Sequence, residues 1–356
     1  MTAGSPSMKL GMIGCGWVPE TFHLPALRGV GTADIVAVAD GDADRMRRVA
    51  ERFQVQRRYT DYLALLDDPA IEAIGVWLPA DRQADVAQAV LAAGKHLFID
   101  KPLVLDLKVW DRLIEQASQA NRKIMVVGLP RRWHRLMRRA REVIRQGTLG
   151  KIELIRTVLA GKNPEHRSLQ EGDRHAVKGI LYQFGMHHFD VLHALLRRDV
   201  QEIFAASSSD DSTVVVTARL SDGVMVSSTF TEGESGNDEV EIYGQAGHLR
   251  VSCYRFDGFE YLPATVHPGD LKTRVQRAVQ SLKELPQGLL RLRRGGDLID
   301  SYRLGWQHCV DAILQDTSPE CTLEDGRRAL RVVLAAKESV ELGRPVKLTQ
   351  LSHDRM

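Results

Sequence analysis

The stretch KLGMIGCGWVP, residues 9–19, decides the fold. Lys9–Ile13 is a short apolar run, and it stops at Gly14-Cys15-Gly16. In a strand–turn–helix unit the first glycine permits the tight turn. The second lets backbone approach a pyrophosphate, whose charge is met by amides at a helix start. The amides of Trp17 and Val18 stand at that start. The third position of such a fingerprint usually holds Gly or Ala for close packing of helix on strand; here it is Pro19. Proline is tolerated in the first turn of a helix, where its missing N–H costs nothing. Pro25 follows, so a kink or two short pieces are expected rather than one long helix.

Outward from this turn, apolar runs alternate with helix-period stretches. Ile35–Ala39 ends in Asp40, Ile71–Leu78 in Pro79, His96–Ile99 in Asp100-Lys101-Pro102, and Lys123–Leu129 in Pro130. Between them lie Ala43–Phe53, Asp81–Ala93 and Asp106–Ala120. This alternation predicts an α/β, doubly wound parallel sheet with helices on both faces. Ligands on such sheets bind past the carboxyl ends of the strands. Asp40, ending the second strand, is placed to bind both ribose hydroxyls of an adenosine and to repel a 2′-phosphate. NAD is therefore favoured, while Arg45 keeps NADP open. The bland alternative is a plain strand–turn–helix with a surface aspartate.

Lys+Arg 48 against Asp+Glu 46 leaves a net charge of +2, which gives no electrostatic case for nucleic acid. No stretch reaches the length of uninterrupted apolar residues that a membrane span needs. The N-terminus lacks a signal-peptide pattern. Cys15, Cys253, Cys309 and Cys321 are scattered without CxxC spacing, so no structural zinc or disulfide framework is expected, and a reducing cytoplasm is the default.

The length of 356 residues favours two domains. The expected division is a lead-in at 1–7, a dinucleotide-binding domain at 8–130, a second domain at 131–348 and a tail at 349–356. The second domain reads as α+β. A strand-like run at Lys151–Ala160 precedes strand patterns at Gln201–Ser207, Thr213–Leu220, Val224–Phe230, Glu239–Tyr243 and His248–Tyr254, separated by short turns. Short turns between strands mean a large, open, mostly antiparallel sheet. Helices follow from 271 to 342, the last at Leu323–Leu342. Residues 270–294 carry Lys272, Arg274, Arg277, Lys283, Arg291, Arg293 and Arg294. A solvated helix face is preferred there over a patch for an anionic substrate.

Gly179–Leu196, GILYQFGMHHFDVLHALL, gathers Tyr182, Gln183, His187, His188 and Asp190. Metal binding is the weakest reading, because His193 falls away around the helix and Glu or Cys ligands are lacking nearby. His188 and His193 read as packed core histidines.

These residues carry a resemblance. The chain resembles the Gfo/Idh/MocA family of nicotinamide-dependent oxidoreductases from about Lys9 to Leu348. The matches are Ile13-Gly14-Cys15-Gly16, Asp40, Ala92-Ala93-Gly94-Lys95-His96, Asp100-Lys101-Pro102 in place of Glu-Lys-Pro, Gly128 with Arg132-Trp133, Gly147–Ile152, and Gly185-x-His187-x-x-Asp190. The resemblance implies a Rossmann domain followed by an open antiparallel sheet that often makes a dimer contact, so a homodimer or homotetramer. It places the cofactor at Gly14, Cys15, Gly16, Trp17, Val18, Asp40, Leu78, Pro79, Asp100 and Lys101. It makes Lys101 the cation that favours a substrate alkoxide and His187 the acid–base residue. Where the family commonly has an aspartate four residues before the histidine, this chain has Gln183. An amide cannot carry a proton away or steady an imidazolium as a carboxylate does, so the imidazole at 187 is expected to hold its proton less tightly. Gln183 can still orient a hydroxyl, and Tyr182 is a stand-in proton donor. Gln83 and Lys178 are further departures.

The implied activity is hydride transfer between NAD(P) and a sugar, polyol or nucleotide-sugar. Two alternatives stay open: a cofactor-binding sensor without turnover, and an NAD-assisted elimination or epimerisation with no net redox change. Substrate choice is assigned to Arg132, Trp133, Tyr182 and His188, and to the 161–178 loop with His166, Arg174 and His175.

Overall fold

A computed structural model describes residues 7–101, 103–126, 128–162, 179–267, 269–293 and 295–350. Pro102, His166, Arg174, His175 and Lys178, the lead-in at 1–6 and the tail at 351–356 lie outside the described residues. The chain divides into two compact units. The first holds residues up to Pro130 together with Leu298–Arg327; the second holds Arg131–Asp297 and Arg328 onward.

The first unit is a six-stranded sheet of β1 (Met8–Ile13), β2 (Ala33–Ala39), β3 (Arg57–Tyr59), β4 (Ala73–Val76), β5 (His96–Ile99) and β6 (Ile124–Val126). The order is β3-β2-β1-β4-β5-β6, and every pairing is parallel. The chain winds one way from β1 to β3 and the other way from β4 to β6, so the crevice lies beyond β1 and β4. Strands β4 and β6 are buried at every position, as strands covered on both faces must be. Two of its longer helices start where short acids cap them. Asp42 accepts the amides of Asp44 and Arg45 ahead of Ala43–Phe53, and Asp106 accepts that of Lys108 ahead of Leu107–Gln119.

The helix Gly296–Leu314 supplies Leu298 onward to this unit, whereas the sequence pattern assigned it to the second domain. The reason is aromatic packing. Trp306 is fully buried, with ring centroids 4.5 Å from Phe98, 5.9 Å from His23 and 6.0 Å from Trp77. The chain then adds a bridge to the sheet edge: Met125 pairs antiparallel with Thr322, and the Cys321 thiol donates to the Val126 carbonyl at 2.8 Å.

The second unit is an eight-stranded sheet of β7 (Ile152–Gly161), β8 (Val200–Ser207), β9 (Thr213–Leu220), β10 (Met225–Glu232), β11 (Asn237–Gly244), β12 (Gly247–Ser252), β13 (Phe259–Pro263) and β14 (Val346–Lys347). The order is β13-β12-β11-β7-β10-β9-β8-β14. All pairs are antiparallel except β7 with β10. Alternation sets the two faces. On β9, Val214, Val216, Ala218 and Leu220 are buried while the residues between them are exposed. The open face carries the cross-strand pairs Arg156–Glu241, Arg219–Glu202 and Arg250–Glu239, with Phe204, Val215 and Met225 exposed among them. Among the described residues, no helix is long and apolar enough to cross a membrane.

Truncating Trp306 removes the anchor of the returning helix. Trp306→Ala is expected to lower the unfolding free energy by about 3–5 kcal/mol in a urea titration. A loss below about 1 kcal/mol would show that the ring is not what seats this helix.

Candidate active site

At the end of β1 the backbone turns at Gly14, whose φ is +96°. A Cβ there would lie 2.1 Å from the Trp77 carbonyl oxygen, so both the turn and the approach to the end of β4 require glycine. Leu78 borders the turn, and Pro79 starts the helix Ala80–Ala92. Gly16 differs. A Cβ there would meet no protein atom within 4 Å, so chain packing makes no demand for glycine, and the space suits a pyrophosphate. A wide π-type turn, Pro19–His23, and one α-turn, Leu24–Leu27, follow, so the helix comes in two short pieces. Trp17 is exposed at its start and Val18 half-buried.

Asp40 ties β2 to this turn. Its Oδ2 accepts the Cys15 amide at 2.8 Å, and its Oδ1 accepts the Asp42 amide at 2.9 Å. Arg45 donates to both oxygens, at 2.9 and 2.6 Å. Burial opposes the charge, but Arg45 and the two amides outweigh it and hold the carboxyl below its ordinary range. Arg45 itself is partly exposed, so a guanidinium stands at the surface beside this acid. Burial, then Asp40, pushes the Cys15 thiol up to about 12. That thiol stays protonated and serves as packing, while its backbone amide faces the acid.

At the end of β5, Asp100 and Lys101 are half-buried. Asp100 Oδ1 accepts the Lys101 amide at 2.8 Å, which curls the chain around the carboxylate. Gly128 makes room for it: a Cβ there would lie 1.5 Å from Asp100 Oδ1. Across the core, His23 Nε2 lies 3.9 Å from Asp100 Oδ2. Trp306 Nε1 donates to His23 Nδ1 at 3.1 Å, so the neutral ring carries its proton on Nε2, toward Asp100. Complete burial takes the His23 pKa down to about 3.

In the second unit, a wide π-type turn at Leu181–Gly185 opens the helix Met186–Leu196. Such turns widen a helix locally and recur at functional sites. Gln183 and His187 are half-exposed, while Tyr182, Met186, His188 and Asp190 are buried. Three residues expected to reach substrate have other surroundings. Arg132 is buried and donates to both oxygens of Asp190, through Nε at 3.0 Å and through Nη2. His188 is buried with Nε2 3.2 Å from Asp238 Oδ1, and Arg131 Nε donates to the other Asp238 oxygen at 2.7 Å. Burial lowers the His188 pKa against the pull of Asp238. Burial, then Glu341, raises the Tyr182 hydroxyl, and Lys337 lies 6.0 Å from its ring. Tyr182 thus faces the helix Leu323–Leu342 and is no ready proton donor. Trp133 is half-buried. Among the described residues, no group of three or more His, Cys, Asp or Glu stands ready to hold a metal ion.

Two family models match this chain: the oxidoreductase family's NAD-binding Rossmann fold over residues 8–128, and the GFO/IDH/MocA C-terminal domain over 137–250. The chain belongs to the Gfo/Idh/MocA family. Its first unit is accordingly the NAD-binding Rossmann domain of an oxidoreductase. Among curated Gfo/Idh/MocA relatives, a myo-inositol 2-dehydrogenase of Thermotoga maritima is 29% identical, over 97% of this chain and 99% of its own. The fold is shared with scyllo-inositol dehydrogenase of Lactobacillus casei, solved with NAD(H) and scyllo-inositol (TM-score 0.75, 20% identity, 97% of this chain and 100% of that one). It is also shared with the WlbA dehydrogenase of Bordetella pertussis, solved with NADH and UDP-GlcNAcA (TM-score 0.78, 19% identity, 96% and 98%).

Sequence reasoning missed His23, whose only local signal was a histidine between Phe22 and Leu24 in the cofactor turn's helix. Its depressed pKa has a consequence for stability. The unfolded chain binds a proton at His23 below about pH 6.5 and the folded chain only near pH 3, so stability is full above that window and falls with pH through it. Between about pH 7 and about pH 4 the wild type should lose about 3 kcal/mol more than His23→Gln in urea titrations. Parallel pH curves for the two proteins would refute the buried neutral imidazole.

Proposed function

We propose that this protein is an NAD-dependent dehydrogenase that oxidises a secondary hydroxyl of a polyol, with inositols the first substrates to test. The observation that carries the reading is the near full-length similarity to myo-inositol 2-dehydrogenase, joined to a turn at Gly14–Gly16 that fits a pyrophosphate and an acid at Asp40 that suits a ribose. NAD, when bound, supplies the hydride acceptor. Trp17 and Val18 offer amides to its pyrophosphate. Lys101, fixed through its own amide to Asp100, binds the substrate hydroxyl and favours loss of its proton. His187 accepts that proton, and Gln183 orients the hydroxyl without taking part in proton transfer. The partly exposed Arg45 gives NADP a weaker hold at the same ribose site. The open sheet face, with Phe204, Val215 and Met225 exposed, suits cover by a second copy. The free cysteines suit a reducing compartment such as cytoplasm.

Gln183 supports a second reading, a dinucleotide-binding sensor without turnover. One experiment separates them. Reduced nicotinamide is followed by absorbance with myo-inositol, scyllo-inositol and a UDP-sugar, and dinucleotide binding is measured by calorimetry. Turnover with an inositol, abolished at least about a thousandfold in Lys101→Ala with dinucleotide affinity kept within about threefold, is the expected result. Binding without turnover on any of them, with activity appearing in Gln183→Asp, would favour the sensor.

A further inference from the structure

The helix Leu271–Arg293 is packed the wrong way round for a globular protein. Among its described side chains, those turned toward the rest of its unit are polar or small: Thr273, Arg277, Ser281, Glu284, Gly288 and Arg291 are buried or half-buried. Ser281 donates to Asp257 Oδ2 at 2.8 Å, Arg277 pairs with Glu260, Arg139 lies 3.7 Å from Glu284, and Gly288 lies against the Phe256 ring. The opposite side is aliphatic. Leu271, Val275, Val279, Leu282, Leu285 and Leu289 recur at helical spacing and are 42–79% exposed. A surface helix ordinarily turns its apolar stripe to the core and its charges to water. Here the ion pairs and the hydroxyl bond hold the polar side inward, and a stripe running the length of the helix is left in solvent. An apolar patch of this extent marks a contact surface.

Charge says what covers it. Residues 271–294 carry seven Lys and Arg against one acid, Glu284, although the whole chain is near neutral; Arg277 and Arg291 are turned inward to Glu260 and Asp297, while Arg274, Lys283 and Arg293 are exposed. Two copies meeting through this stripe would bring cationic flanks together, which like-charge repulsion disfavours. A surface of opposite sign has no such cost. The segment is also interrupted by charges too often to span a bilayer, so it can lie on one but not cross it.

We propose that Leu271–Arg293 docks the protein on a bilayer surface rich in anionic headgroups. The leucine and valine stripe enters the boundary between headgroups and acyl chains, and the flanking cations meet lipid phosphates. This docking is independent of the redox chemistry and of the open sheet face.

The test uses the full-length protein sedimented with vesicles of equal parts phosphatidylcholine and phosphatidylglycerol, and with vesicles of phosphatidylcholine alone. Partitioning onto the anionic vesicles is expected to be at least about tenfold stronger and to weaken with added salt. The double variant Leu282→Glu with Leu289→Glu should lose it by about tenfold or more while keeping its thermal melt and its dinucleotide affinity. Both positions are solvent-exposed, so the fold has no need of them. The reversal Arg274→Glu with Lys283→Glu should cut binding to anionic vesicles without touching the stripe. Wild type that stays in solution with both vesicles would overturn the proposal. So would equal binding by the leucine variant, or a wild-type oligomer in velocity sedimentation that this variant dissolves, which would assign the stripe to a second copy.

Discussion

The carboxylate of Asp40 accepts four hydrogen bonds from three residues, and the turn after β1 is arranged around it. It receives the amide that follows Gly14, the amide that starts the next helix and both arms of Arg45. A buried carboxylate left with fewer partners would be costly, so this set of bonds fixes where β1 and β2 end relative to each other. With Gly14 pressed on the Trp77 carbonyl, the ends of β1, β2 and β4 are locked together.

A comparable constraint organises the second unit. Neighbouring arginines, Arg131 and Arg132, reach different acids, Asp238 on β11 and Asp190 on the helix Met186–Leu196. His188 on that helix returns to Asp238. Breaking such a buried pair by removing one partner costs about 3–5 kcal/mol, because the other charge stays behind without compensation. The network therefore specifies one position for the helix that bears His187 and for the turn before it that bears Gln183. Arg132, His188 and Asp190 hold this segment in place, which is a different task from touching a ligand.

How much of this could be read in advance depended on range. The parallel order, the glycine turn and Asp40 were legible because each is local: an apolar run, a break, and an acid at the next strand end. β3 was not, since its Arg57-Arg58-Tyr59 carries no apolar alternation and pairs only as an edge. The two-residue β14 gives no period at all. The Arg131–Asp238–His188 set joins residues from three distant elements, and nothing near any one of them signals the others. The return of Leu298–Arg327 to the first unit was hidden for a related reason. Its helical stripe shows that a face is buried, but the partner, an aromatic cluster of Phe98, Trp77 and His23, is named only by the fold.

Helix Leu271–Arg293 exposes the limit of periodicity in its sharpest form. A helical pattern has two faces, and the usual assignment of the apolar one to the interior rests on the hydrophobic effect having a core to bury it in. Around this helix the neighbouring groups include Asp257, Glu260 and Arg139, which offer charge, with the Phe256 ring met only at Gly288 among the described contacts. Against them the polar face gains hydrogen bonds and ion pairs that the aliphatic face could not make. An aliphatic face turned inward there would also strip water from those charges without replacing it, a cost of several kcal/mol per unpaired ion. The local polarity of the docking surface thus decides the orientation, and the leucines are outside because the alternative buries charge against hydrocarbon.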